Sequence, residues 1–275
     1  MIEDTESNLR PVVPPGQVNP PTVTGFPEGY IYGVTRYADV ILSASFPRRL
    51  SNILLSLEQY HPRLSELLDG GGGKTTFTQR FDESLSLQMD DDKTVWGKRN
   101  ITISKFIGFD GNTQEVSRVR GHEIDMFGAG PFASQMPGVA VEMEWNNKDP
   151  FFDRDLNNFQ ALHREGAIAV GVIITRGPRL QHLLKVVLDK YGESSTHWNK
   201  LIPKVDLGGG GECPLLLIGI ETERIVEIET AIERLRDLVS AEEFKQDWRG
   251  RGFKKWAQAK PTYDALKAAA RTLAT

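Results

Sequence analysis

Residues 139–177, VAVEMEWNNKDPFFDRDLNNFQALHREGAIAVGVIITRG, decide the fold. Apolar residues alternate through GVAVEMEW (138–145), which predicts a strand with Val139, Val141, Met143 and Trp145 on one side and Ala140, Glu142 and Glu144 on the other. Asp149 as N-cap, Pro150 at the first helical position and Gly166 past the end predict a helix over DPFFDRDLNNFQALHREG. Phe152, Leu156, Phe159 and His163 then share one face of it. The run AIAVGVIIT (167–175) is apolar on both sides, as expected of a central strand covered by helices. Strand, helix and strand in succession imply a parallel crossover and an α/β core.

Outward from this stretch, GHEIDMF (121–127) reads as a preceding strand and CPLLLIGIETE (213–223) as a further one, entered from the turn GGGG at 208–211. RRLSNILLSLEQYHPRLSELL (48–68) has apolar residues at helical spacing, with Ser51 or Asn52 as possible caps and Pro62 as a kink or break. Residues 1–24 are Pro-rich with little to bury and read as a disordered tail. Residues 25–275 then form a single domain, with its core at about 120–222 and a helical C-terminal extension.

Composition narrows the functional classes. With 275 residues, 39% hydrophobic and 25% charged, the chain has globular proportions. The lone Cys213 excludes an internal disulfide framework and clustered-thiolate zinc sites, and it suits a reducing cytoplasm. No run approaches the roughly 18 apolar residues of a membrane span, so no membrane contact is expected. A net charge of -4 argues against coating nucleic acid by bulk attraction. The cluster WRGRGFKKWAQAK (248–260) reads either as a solvated amphipathic face or as a phosphate contact. DGGGGKTT (69–76) lacks the leading glycine of a phosphate loop, since position 68 is Leu68, and no strand precedes it. The glycines at 208–211 precede a strand, whereas a dinucleotide loop follows one.

The acidic residues carry the chemistry. Glu142 and Glu144 lie on one side of their strand, and Glu123 and Asp125 share a side of the preceding one. If these strands pair as an antiparallel hairpin, Asp125, Glu142 and Glu144 converge on one patch. Clustered carboxylates repel, more so when buried, unless a cation neutralises them. Mg²⁺, which takes one or two carboxylates plus phosphate oxygens, is the natural occupant, and phosphodiester hydrolysis is the chemistry it would support. The bland alternative is a solvated sheet edge.

EID followed by EME, then strand, helix and strand, resembles the Asp-x(n)-[Asp/Glu]-x-Lys core of type II restriction endonucleases. More closely, residues 139–177 together with SSTHWNKL (194–201) and GGGGECPLLLIGI (208–220) resemble the BglII/BstYI family, with the E-x-E form also found in BamHI. The resemblance covers roughly residues 120–222. It implies a PD-(D/E)xK core with a mixed central sheet flanked by helices, and Mg²⁺-dependent cleavage of double-stranded DNA. A homodimer on a short palindromic site, GATC-centred as a family guess, and a cognate DNA methyltransferase in the same system are implied as well.

Carried over residue by residue, the resemblance makes Asp125, Glu142 and the backbone carbonyl of Met143 metal ligands. Glu144 stands where many nucleases have lysine, so it brings no positive charge but can accept a proton from, or orient, the attacking water. A further acidic residue from the N-terminal helix often joins such sites, and Glu58 and Glu66 are both open to this role. Ser195, Thr196, His197, Asn199 and Lys200 bunch donors and acceptors beyond the third core strand, where a loop could reach base edges. A repair or recombination nuclease with the same core, and a non-catalytic DNA-binding protein, are the alternatives.

Overall fold

The computed structural model describes residues 16–63, 66–67, 76–90, 93–132, 134–148, 150–187 and 195–226. The proposed cap Asp149, Ser194, the glycine run at 70–73, the cluster at 248–260 and the C-terminal extension lie outside the described residues.

The fold is mixed α/β, as expected. Its strands are β1 (Tyr30–Val34), β4 (Trp96–Phe109), β5 (Asn112–Gly128), β6 (Gly138–Met143), β7 (Ile168–Arg176) and β8 (Leu215–Ile220), with β2 (Met89–Asp90) and β3 (Lys93–Thr94) forming a small separate ribbon. The six-stranded sheet runs in the order β1-β8-β7-β6-β5-β4. β6, β7 and β8 are parallel, while β1, β5 and β4 join as antiparallel neighbours.

Alternation along the central strands sends side chains to two cores. Val139, Val141, Met143, Val170, Val172 and Ile174 pack with α1 (Ala38–Ser45), α2 (Pro47–Gln59) and α3 (Thr76–Ser86) on one side. Ala140, Ile173, Leu215 and Leu217 pack with α4 (Pro150–Arg164) and α6 (Trp198–Asp206) on the other. Glu142 and Glu144, on the side of Ala140, therefore face α4 rather than solvent.

α4 ends as the sequence predicts. Gly166, at φ 71°, donates its N–H to the His163 carbonyl, and the Ala167 N–H reaches the Leu162 carbonyl at 2.8 Å. This 6→1 and 5→2 pair satisfies two of the last helical carbonyls and turns the chain into β7. His163 packs rather than binding metal, its Nδ1 lying 3.1 Å from the Ile168 carbonyl.

Where α4 crosses β7, Gly171 gives the Phe159 ring its space, and an added Cβ would overlap that ring. Gly171→Ala should therefore destabilise the domain by about 1–3 kcal/mol, read as a lower urea midpoint at unchanged slope. An unchanged midpoint would show that the α4–β7 contact has slack.

The break expected at Pro62 is present: the helix stops at Gln59, ahead of His61-Pro62, since a residue before proline avoids the helical region. Two expectations need correction. Ser51 and Asn52 are not caps, because α2 starts at Pro47; Asn52 instead accepts the Trp96 indole N–H at 3.1 Å. The structureless tail was drawn too long: residues 1–15 lie outside the described residues, but Asn19 bridges Val34, and Asp39 accepts the Thr22 and Val23 N–H groups at 2.6 and 2.9 Å.

Candidate active site

The β5–β6 hairpin pairs as expected, with Met126 opposite Val141 and Phe127 opposite Ala140. Continuing that register places Asp125 opposite Glu142, and the Asp125 N–H donates to Glu142 Oε1 at 3.2 Å. Glu144 lies just past the end of β6, its N–H still held by the Ile174 carbonyl of β7 at 2.9 Å. Both glutamates are buried, at 4% and 3% exposure, an environment in which an ionised carboxylate needs partners.

Their partners come in two sets. Burial pushes the Glu142 carboxyl well above its ordinary value, and the charges of Asp125 and Asp155 push it the same way, against the Asp125 N–H. Burial raises Glu144 to about 8, with Asp155 adding to the effect, while Asn147 and Arg154 pull it back. Asn147 donates to Glu144 Oε2 at 2.6 Å and Arg154 Nη2 to Oε1 at 3.1 Å. The same arginine holds Asp155 Oδ1 through Nε and Nη2, at 2.8 and 2.7 Å.

The structure thus regroups the expected triad. Asp125 pairs with Glu142, whereas Glu144 pairs with Asp155 of α4. Among the described residues, no three Asp, Glu, His or Cys side chains close to metal-binding distance. Glu123 does not join either pair, being exposed and bridged to Lys98 at 2.6 Å. Neither N-terminal candidate is placed with them: Glu58 is exposed, and Glu66 is engaged by Arg80 and by the Arg63 N–H. The fourth carboxylate comes from α4 instead.

Asp155, at 1% exposure, was missed in the sequence, yet a signal was there. It follows Phe152 by three positions and precedes Phe159 by four, so it is an acid set into the apolar stripe of α4. Its Oδ2 has no hydrogen-bond partner among the described residues.

These features fit a hard divalent cation. The donor set is all oxygen, burial and mutual repulsion raise both glutamates in a way that a cation would offset, and the buried Asp155 Oδ2 lacks a hydrogen-bond partner. Because folded Glu144 keeps its proton to about pH 8 and an unfolded glutamate loses its proton near 4.5, the folded state binds more protons between those values. Stability without metal should therefore fall as pH rises from about 4.5 to about 8, by on the order of 5 kcal/mol. Glu144→Gln should flatten this slope in urea titrations with chelator present. An equally steep slope in the variant would place the titrating group elsewhere.

The segment expected to read bases is placed differently from the loop envisaged. Ser195, Thr196 and His197 are buried; only Asn199 is exposed, and Lys200 is half-buried. Thr196 N–H donates to the Asn147 carbonyl at 2.9 Å, and buried Arg176 donates Nη2 to Ser195 Oγ and the Thr196 carbonyl, both at 2.6 Å. The Arg176 guanidinium stacks 5.4 Å from the Trp145 ring. Residues 195–197 therefore buttress the turn after Glu144.

All of this lies at one end of the parallel strands, on a sheet bounded by β1 and β4. A profile of the family described as restriction endonuclease BglII/BglIII matches residues 30–220, from the first residue of β1 to the last of β8. The chain belongs to the BglII/BglIII restriction endonuclease family. A search of curated proteins returned no match. No helix among the described residues is long and apolar enough to cross a membrane.

Proposed function

We propose that this BglII-family chain is a Mg²⁺-dependent type II endonuclease that hydrolyses DNA phosphodiesters at a short palindromic duplex site. The observation that carries the reading is the buried pairing of Asp125 with Glu142 beside Glu144. In this reading Asp125, Glu142 and the Met143 carbonyl would hold the ion. Mg²⁺ bound there would supply positive charge to the scissile phosphate and acidify water.

The protein's own groups do the rest. Glu144, oriented by Asn147 and Arg154, takes a proton from the attacking water as its oxygen bonds to phosphorus and the bond to the leaving oxygen breaks. Burial raises this carboxyl, which makes it a stronger proton acceptor once a cation has displaced its proton. Asp155 places a second acceptor within reach of that proton.

Two strands need two such sites, and a symmetric homodimer meets a palindrome with identical contacts. Asn199 and Lys200, at the start of α6, are the members of the 195–200 segment available to bases; Ser195, Thr196 and His197 would position them. The protein would act in the cytoplasm alongside a DNA methyltransferase protecting the same site. The nuclease domain expected at 25–275 would take in residues 19–23 as well, through their bonds to Val34 and Asp39.

Incubation with unmethylated plasmid and Mg²⁺ tests the proposal. Discrete fragments whose sequenced ends share a palindrome are expected, whereas intact plasmid or structure-selective nicking would overturn it.

A further inference from the structure

Glu144 occupies the position where many related nucleases place a lysine, so the motif itself leaves the scissile phosphate without that cation. The structure supplies one from elsewhere. Arg154 projects from the first turns of α4, and its side chain is 52% exposed although both carboxylates that it holds are buried. Nε and Nη2 are committed to Asp155 and Glu144. The guanidinium lies 4.8 Å from the centre of the Phe151 ring, which restricts its plane. Nη1 makes no hydrogen bond or ion pair to the described residues.

Resting on the nuclease reading above, we infer that Arg154 is a catalytic residue that donates through Nη1 to the scissile phosphate and takes over the role of the missing lysine. One edge of the guanidinium fixes Glu144 and Asp155, and Nη1 of this half-exposed side chain is left to meet a phosphate oxygen. A planar fork suits this double duty, because its donors diverge at fixed angles. Lysine at the same place would keep a charge but could not grip two carboxylates and a phosphate together. Arg154 also offsets carboxylate charge that would otherwise repel DNA.

The test compares wild type, Arg154→Ala and Arg154→Lys in single-turnover cleavage of a plasmid, with saturating enzyme, Mg²⁺ and one fixed salt concentration. Loss of a preorganised donor to the transition state should slow Arg154→Ala by at least about 100-fold and Arg154→Lys by about 10-fold. DNA affinity, measured with Ca²⁺ in place of Mg²⁺, should change by less than about 10-fold in both, so that the loss is one of rate. Added guanidinium should restore part of the Arg154→Ala rate and leave wild type unchanged. Melting curves and the lysine variant guard against a folding defect.

An Arg154→Ala rate within about threefold of an active wild type would overturn this inference alone. So would equal losses in both variants without guanidinium rescue, which would make Arg154 a scaffold for the carboxylates. A wild type that cuts no DNA would overturn the nuclease reading and this inference with it.

Discussion

Glu142→Ala is expected to lower the rate of DNA cleavage by at least about 10³-fold, while DNA binding measured in Ca²⁺ is kept or strengthened. Glu142 is buried, faces Asp125 across the hairpin and receives the Asp125 N–H. In the proposed mechanism, truncation removes a ligand on which all later chemistry depends. It also removes a negative charge facing the phosphate, so the effects on binding and on rate have opposite signs. Asp125→Ala should behave alike. Retention of more than about a hundredth of the wild-type rate in either variant would mean that the ion sits elsewhere.

Glu144→Gln should cost about 10²- to 10⁴-fold in rate, less than Glu142→Gln, with Mg²⁺ affinity close to wild type. Glutamine keeps the shape and its one carbonyl oxygen can accept from Arg154 or from Asn147, though not from both, and it cannot take up a proton. The pH–rate profile should lose its ascending limb in this variant. Equal losses in the two glutamine variants, with equally weakened Mg²⁺ binding, would show that Glu144 is a ligand rather than a base.

How far the sequence reveals this site depends on which forces set each part. Period-two alternation in residues 138–145 fixes which side Glu142 and Glu144 take, since slipping one residue would bury the wrong set. The Pro150 and Gly166 signals bound α4, because local chemistry decides helix ends. The pairing of Glu144 with Asp155 is long-range and follows from how α4 rotates on the sheet. Only an acid in an apolar stripe announces it.

Only residues 121–127 of the β4–β5 ribbon read as a strand in the sequence, for another reason. Beyond Ile103 its residues are largely exposed, Phe106, Ile107 and Phe109 included, so no buried face imprints a pattern. The local cue was Asp110-Gly111, whose φ values of 46° and 79° match a two-residue hairpin turn. Burial of Ser195, Thr196 and His197 had no local cue, because polar residues are usually exposed. Arg176 and the Asn147 carbonyl hold the Ser195 hydroxyl and the Thr196 backbone groups of that segment in the interior.

The central claim is that a divalent cation is held where β5, β6 and α4 meet. Fe²⁺ in place of Mg²⁺, with ascorbate and peroxide, releases radicals that cut the polypeptide around the bound ion, and the cut positions can be sequenced. The account predicts cuts near residues 125, 142–144 and 155, suppressed by excess Mg²⁺ and lost in Glu142→Ala. Mg²⁺-suppressible cuts confined to other parts of the chain, or a pattern unchanged in Glu142→Ala, would contradict it.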